Sequence, residues 1–509
     1  MKTESIMYGT LILILTNSLV KLMSLVYRGI TIRLIGAEGL GLTEMMMPFY
    51  SLLIVIASLG IPPAMSNLIS TARKKADTGS ILKTATILLV CSSLLLTVFT
   101  AALLPFLGKY IFSDPRILPG FYVLIPSVFL ISLFSVLRGY FQGTHQTSYI
   151  GKSQVVEQFI RIAAGISILT VLVKQQAPLP QLIIGVALAS LLAETGGGLY
   201  LHRAYRKQNR KESPCFQRET ARRMLRSGAP ITMSRLILSL TTALQAMIVP
   251  HAMVQAGASQ SEAAAFFGLF AGVALTVLHL PSIITGALIT PLIPAIADSD
   301  HRNHSARNRR ISKSILFTNI TALPILALLF YFAKDICGIL FASPEAGPML
   351  SFLCLGGIFL YLQQPVVGIL QGMNRFSRIF LHYCIADSLY IASLLYLEYR
   401  AAFTTESFLL LFIINDIIIF SLNYVYLKKI TGFRIHVGKV YIAPVIALTA
   451  GFIPMIFSYQ QLLGIHCTNF ISMLLSAMLF LLCYFFTLYI SGVIRKETIS
   501  SLLSPHKHH

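Results

Sequence analysis

The sequence predicts an all-α integral membrane protein. Fourteen transmembrane helices form two parallel, pseudo-symmetric six-helix lobes, followed by two C-terminal helices. Three observations carry this. The first is composition: 509 residues, 55% hydrophobic and only 12% charged, against about a quarter charged in a soluble domain. At about 35 residues per span and loop, the length allows roughly 14 spans. The second is a basic bias that alternates along the chain. The third is an internal repeat at an offset of 229 residues.

Apolar runs place the helices at 8–35, 42–70, 82–107, 118–142, 151–173, 180–202, 228–251, 263–290, 314–334, 349–371, 378–397, 407–427, 440–459 and 470–494. The first run is too long for a cleavable leader, carries Lys21 and Arg28, and lacks a small-residue cleavage site. Pro62-Pro63 should kink or end the second helix, and Pro291 and Pro294 the eighth. Between the helices, even-numbered gaps and both termini are basic. They hold 29 of the 40 Lys and Arg residues; the odd-numbered gaps hold 5, and the spans 6. Such a bias puts the basic loops and both termini in the cytoplasm and requires an even number of spans. The longest basic loop, 203–226, separates the lobes. Its charge reads as an orientation signal and a contact for anionic lipid rather than for nucleic acid. The expected division is an N-lobe at 1–202, the linker 203–226, a C-lobe at 227–434, and residues 435–509 for the last two helices and the tail. Seven Cys without a CxxC pair predict neither disulfides nor a metal site. The terminal His506-Lys507-His508-His509 reads as a solvated tail.

The repeat is read at Gly139-x-x-Gln142-Gly143…Ser148, which returns as Gly368-x-x-Gln371-Gly372…Ser377. In the same register Pro62 meets Pro291, Arg73 meets Arg302, Phe112 meets Phe341, Pro115 meets Pro344 and Pro119 meets Pro348. The matches fall on turn formers as well as apolar residues, which marks two copies of one unit of about 200 residues. The first copy is expected to turn on Gly143. Six helices per copy make the copies parallel.

Charges inside spans are the candidate functional residues, because each costs about 2.5–3.5 kcal/mol mid-span and needs water or a partner. They are Lys21, Arg28, Arg33, Arg138, Arg161 and Arg235, with Glu44, Glu157, Glu194, Asp387 and Asp416. Arg33 and Glu44 lie near helix ends and are expected to snorkel. Glu157 and Arg161 stand i, i+4, in the favourable order for an intrahelical pair. Arg138 either joins Glu157 or faces the cavity. Lys21 and Arg28 are seven apart, on one face of the first helix, and suggest a cationic wall lining water. Five of the six cations belong to the first copy, and Arg138 becomes Val367 in the second. One charged lobe on a duplicated scaffold suggests an anionic substrate group. His279, Asp387 and Asp416 are candidates for ion coupling. No nucleophile with a base, no Walker loop and no metal spacing appears, so neither an enzyme nor a cofactor is expected.

Leu137-Arg138-Gly139-Tyr140-Phe141-Gln142-Gly143, followed by Gln154-Val-Val-Glu157-Gln158-x-x-Arg161, resembles the stage V sporulation protein B family. These are polysaccharide-biosynthesis-type members of the multidrug/oligosaccharidyl-lipid/polysaccharide (MOP) exporter superfamily. Leu34-Ile35-Gly36-Ala37-x-Gly39-Leu40-Gly41 is similar to that family's first outer loop. The likeness covers the whole chain in topology and is motif-specific over about 28–70 and 137–161. It implies two six-helix bundles around a cavity, alternating access, and export or flipping of lipid-linked sugars. It implies a peptidoglycan precursor or a spore-cortex relative as cargo. The chain is more distantly similar to lipid II flippases, whose first-helix cations line the cavity; Lys21 matches one such position. Their basic pair on the second helix is not matched, since the run here reads Ser58-Leu-Gly-Ile-Pro-Pro.

The combined expectation is a flippase for an undecaprenyl-pyrophosphate-linked saccharide in the bacterial plasma membrane. Lys21, Arg28 and Arg138 would hold the pyrophosphate, with Glu157, Arg161 and Arg235 as further substrate-binding candidates. Partners would be the lipid-linked saccharide, anionic lipids and cell-wall synthesis enzymes, with the chain a monomer. Two alternatives stand beside it. One is a cation-coupled multidrug exporter of the same fold. The other is a non-transporting scaffold for cell-wall or spore assembly.

Overall fold

The computed structural model describes residues 2–71, 75–110, 112–208, 215–282, 286, 304–465 and 468–494, with side chains from residue 15 onward except at 75–77, 110, 234, 304 and 306. These residues are helical with no strand. The helices are α1 (Lys2–Ser58), α2 (Ile61–Thr71), α3 (Lys75–Tyr110), α4 (Leu118–Gly143), α5 (Thr147–Lys174) and α6 (Leu179–Gln208). Then come α7 (Arg218–Gln255), α8 (Gln260–Phe267), a π segment (Gly268–Ala274) and α9 (Leu275–His279). The chain continues with α10 (His304–Tyr331), α11 (Ala333–Phe341), α12 (Gly347–Gly372) and α13 (Phe376–Tyr399). It ends with α14 (Thr405–Thr431), α15 (Ala443–Gly464) and α16 (Asn469–Ile490). Among the described residues 13 helices are long and apolar enough to cross a membrane. The sequence count of fourteen takes the first of these as two.

That first helix is a hairpin. Gly36 leaves the helical region at φ 74 and ψ 176, a conformation open to glycine and costly for other residues. Arg28 and Glu44 then form an ion pair at 3.1 Å. In a straight helix residues sixteen apart would be separated by about 24 Å along the axis, so the two arms must fold back on each other. The second arm ends at Ser58, where Leu59 and Gly60 take positive φ. Pro62 and Pro63 occupy the first turn of α2, where a missing N–H costs nothing. The predicted break is therefore present. The predicted effect of Pro291 and Pro294 lies outside the described residues.

The described chain clusters into two compact units. One comprises Met1–Val273, Leu340–Ala342 and Asp387–Phe408; the other comprises Ala274–Ile339, Ser343–Ala386 and Leu409–His509. In the first, small residues set the helix spacing, as in membrane bundles generally. Gly151 faces Thr16 and Gly165 faces the Tyr27 ring, so α5 runs parallel to the first arm of α1. Gly185 meets Leu172 and Gly197 meets Ser153, so α6 runs antiparallel to α5. A Cβ on Gly139 would lie 2.7 Å from the Pro62 carbonyl oxygen, and one on Gly143 would lie 2.8 Å from that of Ser66. These two glycines hold α4 against α2. Gly143 is not the turn, as the sequence suggested; it ends the helix, and His145 makes the turn at φ 58.

In the second unit, α10, α12 and α14 share a core of Ile311, Ile315, Leu362, Val366, Ile369 and Leu427. The last two helices pair through Gly451 on Phe480, and Tyr484 donates to the Ile320 carbonyl at 3.2 Å. The outer face of α16 exposes Leu474, Leu475, Met478, Leu482, Phe485 and Phe486. On α3 the same is true of Leu94, Leu95, Val98 and Phe99. Such faces suit lipid rather than water, and the chain is a multi-pass membrane protein.

Candidate functional site

The first unit concentrates charge on α5. Glu157 sits between two arginines. Its Oε2 accepts from Arg138 on α4 at 3.0 Å, and its Oε1 accepts from Arg161, one turn along, at 2.8 Å. Both parts of the sequence expectation meet in this cluster: the i, i+4 pair forms, and Arg138 joins it. Two guanidinium groups against one carboxylate leave a surplus positive charge. The Nε atoms of Arg138 and Arg161 are buried and have no hydrogen-bond partner among the described residues. The carboxylate owes its seat to α6, where Gly197 brings the backbone beside it. A Cβ there would lie 3.2 Å from the Glu157 Cβ and 3.5 Å from its Oε2.

A second polar group lies deeper in the same bundle. The Tyr50 hydroxyl, on the second arm of α1, stands 2.7 Å from the Glu194 carboxylate of α6 and 2.5 Å from the Ser127 hydroxyl of α4. Ser127 also contacts the Leu124 carbonyl oxygen at 2.6 Å. Two hydroxyl hydrogens serve these three oxygen–oxygen contacts, and a proton on Glu194 would supply the third. Arg161 lies close enough to act electrostatically on Glu194, Tyr50 and Tyr27.

The remaining candidates are dispersed. Arg28 is not a bare cation on a wall. It pairs with Glu44 at 3.1 Å and donates to the Ala271 carbonyl of the π segment at 3.3 Å. Glu44 therefore does not snorkel, because the hairpin turns it inward to meet Arg28; Arg33 is exposed. Lys21 is exposed on the first arm of α1, and Arg235 is exposed on α7. Asp387 is buried on α13 and accepts from Thr241 of α7 at 3.1 Å. His279 is exposed, with Nδ1 2.6 Å from the Leu275 carbonyl oxygen. Asp416 is half-buried on α14.

Tyr50 and Ser127 had no role in the sequence reading, and Gln154 and Gln158 entered it only as part of the family motif. The signal that could have found the glutamines is spacing. Gln154, Glu157, Gln158 and Arg161 fall at i, i+3, i+4 and i+7, one polar stripe on an otherwise apolar span. Tyr50 and Ser127 carry no such signal, since both read as ordinary residues of apolar runs.

Comparison with known proteins agrees with this architecture. The chain is 27% identical over 385 residues to stage V sporulation protein B of Bacillus subtilis (strain 168), covering 74% of each chain. It is 23% identical over 414 residues to the lipid II flippase MurJ of the same strain, covering 73% of this chain and 74% of that protein. Among solved structures it is similar to the inward-facing conformation of a multidrug resistance MATE family transporter of the MOP superfamily. There the TM-score is 0.66 at 15% identity, over 82% of this chain and 98% of that one. The fold is thus that of the MOP superfamily. Residues 6–300, more than half of the chain, match the polysaccharide biosynthesis protein family, and the chain belongs to that family.

Proposed function

We propose that this membrane protein is a flippase for a polyprenyl-pyrophosphate-linked saccharide, working by alternating access. The observation that carries the reading is the Arg138–Glu157–Arg161 cluster. A neutral pair would offer an anion nothing. This cluster sets two guanidinium groups against the one carboxylate they bond, and among the described residues it keeps two buried N–H donors unused. A pyrophosphate stripped of water at the bilayer plane needs such charge-assisted donors to replace its hydration. The fixed Glu157 holds both guanidinium planes in place, which limits the entropy lost on binding. The names of the relatives support the cargo: one is a lipid II flippase and one a sporulation protein. Basic loops and termini in the cytoplasm complete the reading, with the headgroup entering from that side.

One observation favours the rival cation-coupled exporter. Glu194 is buried at 8% exposure, and its contact with Tyr50, whose hydroxyl also meets Ser127, accommodates a proton. In the flippase reading the same carboxyl is a candidate for coupling to the proton gradient. A reconstituted-vesicle assay separates the two readings. Translocation of a fluorescent lipid-linked saccharide is expected, with loss in Arg138→Leu and in Arg161→Leu. Translocation of cationic dyes but not of the lipid would overturn the proposal in favour of the exporter.

A further inference from the structure

The stripe on α5 holds more than the charged cluster uses. Gln154 and Gln158 flank Glu157 on the same helical face, and Gln158 is only 7% exposed. The Oε1 atoms of both glutamines are buried and have no hydrogen-bond partner among the described residues. The Tyr27 hydroxyl, whose ring packs on Gly165 one turn beyond Arg161, likewise has no partner within hydrogen-bond geometry among the described residues. An amide presents one acceptor and two donors whichever way its oxygen and nitrogen are assigned, so an unmet side-chain amide remains in either orientation. Buried polar groups in folded proteins are nearly always paired, and a cluster of exceptions needs a reason.

The second copy supplies a control. Counted from the same turn, Gln154 corresponds to Tyr383 and Gln158 to Asp387. Both are satisfied inside the protein: Tyr383 accepts from Gln363 at 2.6 Å, and Asp387 accepts from Thr241 at 3.1 Å. The first copy uses the same helix face and leaves its groups open.

We infer that Gln154 and Gln158 recognise the uncharged polar part of the cargo, its saccharide hydroxyl and amide groups. The inference rests on the proposed flippase reading and deepens it. Hydroxyls and acetamido N–H groups donate, and the two glutamine oxygens are unused acceptors. From Gln154 to Arg161 the stripe runs about 10 Å along the helix axis. Its two ends suit a ligand that is anionic at one end and rich in hydroxyls at the other. Arg138 and Arg161 take the phosphates, and the glutamines read what the phosphates carry.

The experiment is binding to the full chain in lipid nanodiscs, with two probes: a polyprenyl pyrophosphate, and the same lipid carrying a disaccharide. The variant is Gln154→Met/Gln158→Met, which keeps side-chain length and removes the amides. Its affinity for the disaccharide lipid is expected to fall about tenfold or more. Its affinity for the bare lipid should stay within about twofold, which also shows that the variant is folded and keeps its arginine cluster. Arg161→Leu should weaken both lipids alike. Unchanged affinity for the disaccharide lipid in the double variant would overturn the inference and leave the stripe merely hydrated. Equal loss on both lipids would also overturn it, while sparing the flippase reading. A wild-type chain that binds neither lipid would overturn both.

Discussion

Residues 115–147 and 344–376 share one backbone. The 3-10 turns Pro115–Ile117 and Pro344–Ala346, the helices α4 and α12, and the starts of α5 and α13 all differ by 229. The turns agree bond by bond: Thr144, His145 and Gln146 donate to Tyr140, Gln142 and Phe141, and Met373, Asn374 and Arg375 donate to Ile369, Gln371 and Leu370. The chemistry carried on either side of the turn differs. Arg138, Glu157 and Arg161 become Val367, Ala386 and Tyr390. Ala386 is fully buried, and Tyr390 is bonded to Gln245 at 3.2 Å. The scaffold is set by turn geometry and tolerates either lining. The charged lining of the first copy is therefore not needed for the fold, and it calls for a functional account.

The sharpest way to break this comparison is Glu157→Gln. It leaves two guanidinium groups without their carboxylate. The expected loss is about 3 kcal/mol, the lower end for breaking a buried pair because Arg138 is 33% exposed. Transport should be lost as well. Combining it with Arg161→Leu should recover part of the stability but no transport. Thermal unfolding in detergent and the vesicle assay check both. A Glu157→Gln protein that transports normally would mean that the cluster is packing, and that the two copies do not differ in role.

Arg28→Ala is next, because Arg28 links the two arms of α1 rather than standing in a cationic wall. Removing it strands Glu44, whose side chain is 13% exposed, at an expected cost of about 2 kcal/mol. Arg28→Leu/Glu44→Leu should restore stability. If the double variant also transports, Arg28 is a hairpin tie; if it is stable but inactive, Arg28 handles cargo. Unfolding and vesicle transport of the two variants and the wild type distinguish these outcomes.

The helices were legible because their apolar runs exceed any soluble core helix, and the turns because Pro and Gly repeat in register. The α1 hairpin was legible as two runs, but the Arg28–Glu44 pair was not. Sixteen residues is no helical spacing, and only the reversal at Gly36 creates it. The Glu157–Arg161 pair was legible because i, i+4 contacts are local. Glu194 with Tyr50 was not, since its 144-residue separation is closed only by tertiary packing. Gly143 was misread because glycine serves two purposes, and here close helix contact outweighs turn freedom.

Gly197→Ala tests the seat of the charge more gently. The added methyl would meet the Ser153 carbonyl oxygen at 3.1 Å and the Glu157 Cβ at 3.2 Å, and backbone yields little. Overpacking of this kind costs about 1–2 kcal/mol. The expected signature is a larger fall in lipid affinity than in stability, because Glu157 moves before α5 does. A loss of stability alone, with affinity intact, would make Gly197 a spacer and nothing more.

The smallest effect is expected at the turn itself. His145 and Asn374 hold the same left-handed conformation, at φ 58 and φ 60. Asparagine tolerates it better than most residues, because its short side chain hydrogen-bonds locally. His145→Asn should stabilise by about half a kcal/mol or less, and Asn374→His should destabilise by about as much. Both variants should transport at the wild-type rate. That outcome is the strict test of the comparison, since it requires the two turns to be interchangeable scaffold. If His145→Asn instead impairs transport while Asn374→His does not, the functional asymmetry between the copies begins at the turn and not at Arg138.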